Sequence, residues 1–590
     1  MSGKDEPVPW WFLLLAPLCA FGLVFAAFSP ALEGQFLEWD DAPGVSRNAD
    51  LRLTGSEGLA WRFTTRHMGH YQPLSWWSLS LDVDGAPERE PGGEIEGKGV
   101  AELGPREATR CHRTNLLLHA LGAVAFALLA ERLLRAAFAK SSSPPSNHAL
   151  AAAALFASLA WALHPLRVES VAWITERRDV LSAVPLLASI YMYVLWAERR
   201  ELGGRVGFYV AAVFLLLLSL LAKAWGIVVP ALLIVIDFYP LRRHALSWRA
   251  VGRLAFEKLP FFVLAAGFAA IAAWAQASLA DAMPSMTEHS LLERALQAAY
   301  GVCFYVWKSC VPTGLLPLYE LPQDLSIRDG RFLWPLVALA VGASVIFALR
   351  RRLPAVGALA IAGVLCVLPV LGFAQAGPQL VADRYTYLFG FAFALGIAGC
   401  ALVFLRVVPW IPWLCAVLLL SLFGVATRAQ SAIWRDTQSL WAHVLEREPA
   451  HLVANLSMGN ELARAALLED TMPKVAQGMR AAAECFTAGF RATPDARFAS
   501  KLALVHRALA QLEPERSDEH LRAAQDFSEQ AVKLAIATGR VSPAARFERG
   551  LQLLSAGRLE EALVELEWYV SVRPDDPRGM RALEDARSRK

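Results

Sequence analysis

Up to about residue 430 the sequence returns again and again to long apolar runs, each near the ~20 residues a helix needs to cross a bilayer. No other feature limits the fold so strongly. The first run extends from Trp10 to about Phe28. Others cover roughly 114–136, 149–165, 179–197, 207–222, 225–240, 259–279, 332–349, 354–372, 385–405 and 408–427. Composition agrees: 55% of the 590 residues are hydrophobic and 19% charged, against about 25% charged in a soluble domain. A disordered chain and an ordinary soluble enzyme are both excluded. The formal net charge of +3 is too small to imply nucleic-acid binding. The eight cysteines mostly lie inside apolar runs and show no CxxC or Cys/His spacing, so neither zinc nor a disulfide framework is expected.

The run from Trp10 follows a single nearby lysine, Lys4, and has no clean small-x-small cleavage site. It reads as a retained first span, for about eleven spans in all. Segment 291–311 is apolar but interrupted by Arg294 and Lys308, and the positive-inside rule decides its reading. With the N-terminus inside, three basic loops fall inside: Arg132/Arg135/Lys140, Arg199/Arg200/Arg205 and Arg242/Arg243/Arg249/Arg253/Lys258. Arg350–Arg352 and Arg406 join them only if 291–311 lies along the interface. Residues 280–331 therefore read as an outer segment with an interfacial helix, and 31–113 as the first outer loop. Within that loop, 84–110 is a flexible insertion, and Trp61, Trp76 and Trp77 suit interfacial helices.

Beyond residue 430 the apolar residues turn helix-periodic and mix with charge. Gly550, Ala562, Leu566 and Pro574 fit a 34-residue helical repeat, and Ala482, Phe486 and Pro494 fit half of another copy, with Gly459 in its first helix. The stretch 500–540 is helical but degenerate. The expected fold is all-α: a polytopic membrane domain over 1–430 and about three tetratricopeptide-like units over 431–590, capped by a helix from Pro577 to Arg589.

On this topology the unusual polar residues share the outer side, as a site at the membrane–water boundary would require. Asp40 and Asp41 follow the first span among aromatic residues. A carboxylate beside a membrane surface has a raised pKa that suits a general base, though an acidic loop cap before Pro43 would read the same way. His164 to Asp179 packs charge between two spans. Its Arg177 and Arg178 could hold a phosphate, or pair with Glu169 and Glu176. A continuous helix here would place Glu169 on one face with Trp173 and Glu176. Asp383–Arg384–Tyr385 offers a second phosphate candidate, with an internal ion pair as the alternative, and Lys223 lies in a short hairpin where snorkelling is the plain alternative. His67, His70, His112 and His119 lack a coherent ligand spacing. No P-loop, GxGxxG or GxSxG is present.

Several longer strings resemble one group of proteins: HMGHYQPLSWWSLSLD (67–82), HRTNLLLH (112–119), HPLRVESVAWITERRDVLS (164–182), LLAKAWGIVVPALLIVIDFYPL (220–241) and ADRYTYL (382–388). The group is the bacterial membrane proteins with C-terminal tetratricopeptide repeats. They are similar to the transmembrane and tetratricopeptide-repeat protein O-mannosyltransferases of eukaryotes, and more distantly to the protein O-mannosyltransferases of the glycosyltransferase C superfamily. The match runs from about 10 to 430, with the repeats behind it.

The resemblance implies an inverting transferase that takes a sugar, mannose in that family, from a polyprenyl-phosphate-linked donor to Ser or Thr hydroxyls of exported protein. It implies Asp40, Asp41 and Glu169 as the catalytic set. One aspartate would take the hydroxyl proton, while Glu169 and His164 orient the loop or the sugar. Arg177, Arg178 and Arg384 would meet the lipid phosphate, and Asp179, Lys223, Asp383 and Tyr385 complete the substrate-binding set. No cofactor besides the lipid-linked donor is implied, metal dependence stays open, and the repeats would hold acceptor polypeptide. The location implied is the bacterial inner membrane, with the N-terminus cytoplasmic and both site and repeats on the outer side. The chain departs from the family in its longer 84–110 insertion and in Lys223–Ala224, where Lys-Pro is usual. Transfer to a lipid or envelope glycan, a non-catalytic scaffold displaying repeats, and a transporter are the competing readings.

Overall fold

In lipid a backbone must satisfy its own hydrogen bonds, and a helix does so within one segment. The computed structural model follows that rule. It describes residues 8–85, 103–199, 204–245, 247–277, 290–322, 324–373, 377, 379–537, 543–573 and 576–589. Among these the regular structure is helical, apart from a short antiparallel pairing of Tyr319–Glu320 with Gln379–Val381. Lys4, Arg200, Pro574, most of the 84–110 insertion and 280–289 of the expected outer segment lie outside the described residues.

The chain forms two units that divide between Arg435 and Asp436. In chain order the main helices of the first are α1 (Trp10–Ala27), α2 (Pro105–Phe138), α3 (Asn147–Ala162), α4 (Ile174–Glu198), α5 (Arg205–Ala222), α6 (Ala224–Phe238), α7 (Trp248–Glu257), α8 (Leu259–Ala277), α9 (Leu291–Cys310), α10 (Gly330–Leu349), α11 (Pro354–Val370), α12 (Asp383–Phe404) and α13 (Ile411–Ile433). Eight of them (α1, α2, α4, α5, α8, α10, α12 and α13) are long and apolar enough to cross a membrane, and the protein is membrane-embedded.

The remaining three of the eleven runs fall short, each for a geometric reason. α3 continues into Pro165–Ala172 only after a 57° bend, where Pro165 interrupts the hydrogen-bond ladder. α6 and α11 are apolar but shorter. At 1.5 Å per residue, α6 reaches about 22 Å of a ~30 Å core. α9 is not among the candidate spans; it carries Glu293, Arg294 and Lys308, and it buries Arg294 and Gln297.

Burial is uneven among the spans. In α2, 61% of the apolar stretch is buried inside the protein, and in α10 only 6%, so the protein itself covers little of α10. α2 packs on α1, α3 and α4, and α3 packs on α12. Polar ties fix that centre. Ser158 donates to Ala123 O at 2.6 Å, His119 bridges Ala162 O and the Tyr387 hydroxyl at 3.0 and 2.8 Å, and Trp161 donates to Tyr387 O at 3.0 Å. α2 begins at Pro105, ahead of its apolar run, because Glu107 caps the Gly104 amide. Trp76 and Trp77 lie on a helix of the first loop, Pro73–Val83; Trp76 is buried in the core of that loop, while Trp77 is 45% exposed.

The second unit is a succession of helices: α14 (Thr437–Leu445), α15 (Leu452–Ala466), α16 (Met472–Ala492), α17 (Ala496–Leu512), α18 (Ser517–Ala537), α19 (Pro543–Ser555), α20 (Leu559–Val572) and α21 (Pro577–Ser588). Each packs on the next, as hairpins α15/α16, α17/α18 and α19/α20. The small residues sit where the paired helices touch. Gly459 lies against Phe486, and Gly550 against Leu566.

Candidate functional site

The segment His164–Asp179 is not one helix. A 3-10 turn over Pro165–Arg167 leads to a single helical stretch, Val168–Ala172; Trp173 is extended, and a second 3-10 turn, Ile174–Glu176, opens α4. Glu169 and Glu176 therefore do not meet through helix periodicity. They meet on Arg384, which reaches them from the start of α12. The Arg384 amide donates to Glu169 Oε2 at 2.7 Å and its Nη1 to Glu169 Oε1. Its Nε lies 3.5 Å from Glu176 Oε1.

From Glu176 the ion pairs continue. Arg178 donates to its two oxygens at 2.5 and 3.1 Å, and Lys223 Nζ at 3.0 Å. Lys223 also binds Asp179, whose other oxygen accepts from Ser170 at 2.8 Å. Three carboxylates and three cations thus cancel in charge, as burial demands. They are not equally hidden. The side chains of Arg178, Arg384 and Lys223 keep 10, 10 and 15% of their exposure, and those of Glu169, Glu176 and Asp179 keep 2, 0 and 0%. The acids form the floor and the cations form the lip.

Asp40 and Asp41 stand beside this lip in different states. Asp41 is fully buried and fully bonded: its Oδ1 accepts from the Thr175 amide at 2.8 Å and the Thr175 hydroxyl at 2.5 Å, and its Oδ2 from the Leu37 amide at 3.1 Å. It clamps the 37–41 turn to the start of α4. Burial nonetheless pushes its carboxyl up to about 7. The Asp40 carboxylate accepts no hydrogen bond among the described residues and is only half-buried. Its pKa is raised by burial, a shift opposed by attraction to Arg178 and Arg384. Next to it Trp39 stacks on Trp173, with centroids 4.3 Å apart, and Arg384 lies 5.5 Å over the Trp173 ring.

Other expected site residues lie outside the cluster. Arg177 points away from it: its guanidinium holds Asp82 at 2.6 Å, Ser78 Oγ and Cys111 O each at 2.8 Å, and Asn115. Asn115 in turn supports the Trp173 carbonyl at 3.3 Å, so Arg177 supports the aromatic platform rather than facing the lip. His164 is a turn residue, accepting from the Leu166 amide at Nδ1 with Nε2 3.1 Å from Ser309 O. Asp383 accepts from the Tyr319 hydroxyl at 3.1 Å, and Tyr385 accepts from Gln379 at 2.8 Å. Both sit on the flank that aims Arg384.

Three residues outside the expected set belong to this region. Glu176 is the hub of the cations. Arg167 ties the loop to α12 through Thr386 O and Oγ1, both at 2.6 Å. His70 follows a turn in which Met68 adopts a left-handed φ of 55°. That turn rests on the Asp41 loop through His67 Nε2, 2.9 Å from Pro43 O. The His70 ring is pressed down to about 3, first by burial and then by Arg178, so it is neutral there. Only its place within the HMGHYQP string could have flagged it. Among the described residues no three His, Cys, Asp or Glu side chains converge to hold a metal ion. No protein-family model, curated protein or solved structure matches the chain.

Proposed function

We propose that the chain is a membrane glycosyltransferase that moves a sugar from a polyprenyl-phosphate-linked donor to Ser or Thr hydroxyls of exported protein. The observation that carries this reading is the pairing of Asp40, a carboxylate that accepts no hydrogen bond among the described residues, with a lip of Arg178, Arg384 and Lys223 over buried acids. Such a lip presents an approaching group with cations first, as the phosphate of a lipid-linked sugar requires. Asp40 is the carboxylate with room for a proton, so it serves as the base, and Asp41 serves to position it.

In the proposed reaction the acceptor hydroxyl oxygen attacks the anomeric carbon as Asp40 takes its proton. The bond from that carbon to the phosphate oxygen breaks, and the electron pair leaves with the phosphate, whose charge the lip stabilises. Attack opposite the leaving group inverts the anomeric centre. Glu169 and Glu176 hold the guanidinium of Arg384, and Glu176 and Asp179 hold Lys223.

The helix hairpins beyond Asp436, closed by Gly459–Phe486 and Gly550–Leu566 contacts, support a tetratricopeptide-like array that would bind acceptor polypeptide. A glycosyltransferase C architecture, mannose as the sugar, and a bacterial inner-membrane location with the site outside belong to the same proposal. The test is transfer of radiolabelled mannose from polyprenyl-phosphate-mannose to endogenous protein in membranes carrying wild type or Asp40→Asn. Label in the wild type and its loss in the variant at equal expression support the reading. Equal label in both removes Asp40 as the base.

A further inference from the structure

Five basic side chains fall between the end of α6 and the start of α8, and the fold divides them into two groups. Arg243 and Lys258 are neutralised. Arg243 binds Asp237 at 3.1 Å and Glu257 at 2.8 and 2.9 Å. Buried Lys258 binds Asp237 at 2.5 Å and Glu257 at 3.0 Å. The Tyr193 hydroxyl completes the network at 2.7 Å from Asp237. Arg242, Arg249 and Arg253 make no ion pair among the described residues.

Arg249 and Arg253 are both exposed on α7 and one turn apart. Trp248 and Phe256, about two turns apart, flank them at 91 and 77% exposure. On the opposite side Leu254 is fully buried. The helix thus presents aromatic and cationic side chains together on one outward face. α7 leads directly through Lys258 into α8, which is long and apolar enough to cross a membrane and only 17% buried in its apolar stretch. This exposed face therefore starts where α8 leaves the bilayer.

We propose that α7 is a docking surface for anionic lipid. Trp248 and Phe256 enter the boundary between headgroups and acyl chains, and Arg249 and Arg253 bind the phosphodiesters of anionic headgroups. Lipid is the occupant because the face is continuous with a membrane-crossing helix and its two exposed guanidiniums meet no carboxylate among the described residues. The proposal is independent of the transferase reading.

The experiment is native mass spectrometry of the full chain in detergent, titrated separately with phosphatidylglycerol, phosphatidylcholine and inorganic phosphate. Wild type is expected to prefer phosphatidylglycerol over phosphatidylcholine. Arg249→Gln/Arg253→Gln lowers that preference about fivefold per arginine, and Trp248→Ser/Phe256→Ser weakens both lipids. All four side chains are exposed, so the fold is expected to survive. Arg249→Lys/Arg253→Lys, which keeps the charge, retains most of the preference, and about 0.5 M salt erases it in the wild type. An unchanged preference in the glutamine variant or in high salt, or displacement of phosphatidylglycerol by inorganic phosphate, overturns the proposal.

Discussion

Asp40 and Asp41 are neighbours in sequence, yet the fold gives them opposite duties. Asp41 has three hydrogen-bond donors and no exposure, whereas Asp40 has, among the described residues, none of the former and some of the latter. Asp40→Asn is expected to lower transfer by about 10²–10⁴-fold with the protein still folded. In the wild type the acid limb of the rate profile should lie above the ordinary carboxylate range, because burial raises the Asp40 pKa; transfer rates measured from pH 4 to 8 check both points. Asp41 bears on stability instead. Its carboxyl titrates near 7 when folded and near 3.8 in the reference state. Between those values the folded protein keeps a proton that the unfolded chain has released. Its contribution is therefore fully present below about 3.8 and is lost as pH rises through about 7. Asp41→Asn should flatten that slope in thermal-unfolding midpoints measured across the window. The sequence named both residues. It left their roles open, since those depend on Thr175 and Leu37 amides that only the folded chain brings near.

For His164–Asp179 the sequence showed charge packed between two spans and left open a continuous helix or a short loop tied by Glu–Arg pairs. Pro165 and an extended Trp173 divide the segment into short turns, and the division turns Arg177 and Arg178 to different places. Arg178 should matter for donor and Arg177 for stability. Arg178→Gln is expected to raise the donor KM. Arg177→Gln breaks a buried pair with Asp82 and should cost about 3–5 kcal/mol, seen as a lower unfolding midpoint with donor KM unchanged in the folded fraction. In the second unit the small-against-bulky spacing was legible, and the contacts agree with it. A Cβ at Gly459 would lie 2.4 Å from Phe486 Cε1, so Gly459→Ala should overpack the α15/α16 hairpin by about 1–3 kcal/mol. Hydrogen exchange over 452–492 should then rise.

At the scale of the whole molecule, apolar helices α1, α2, α4, α5, α8, α10, α12 and α13 are candidates to hold the chain in a membrane, and the proposed transferase needs its lip and its hairpins on the outer side. Protease added to intact spheroplasts should therefore cleave beyond Asp436 while leaving the membrane unit largely protected. Cleavage only after lysis would place the hairpins inside and contradict the proposed topology. The number of complete spans was less legible than their positions. Each of the eleven runs lies on an apolar helix, but a run length does not reveal the 57° bend after α3 or the shortness of α6 and α11.

What the sequence determined by itself was whatever depends on local patterning: helices instead of strands, an apolar membrane unit followed by a second helical unit mixed with charge, and the segments in which unusual charge gathers. Apolar runs and helical periodicity are properties of neighbours along the chain, so they survive without coordinates. What only the tertiary structure decided was which charges face each other. Arg384 meets Glu169 across 215 positions, and Lys223 meets Glu176 across 47. Burying those ions requires partners that no local spacing specifies, and the packing that supplies them also binds Asp41 while leaving Asp40 without a donor among the described residues.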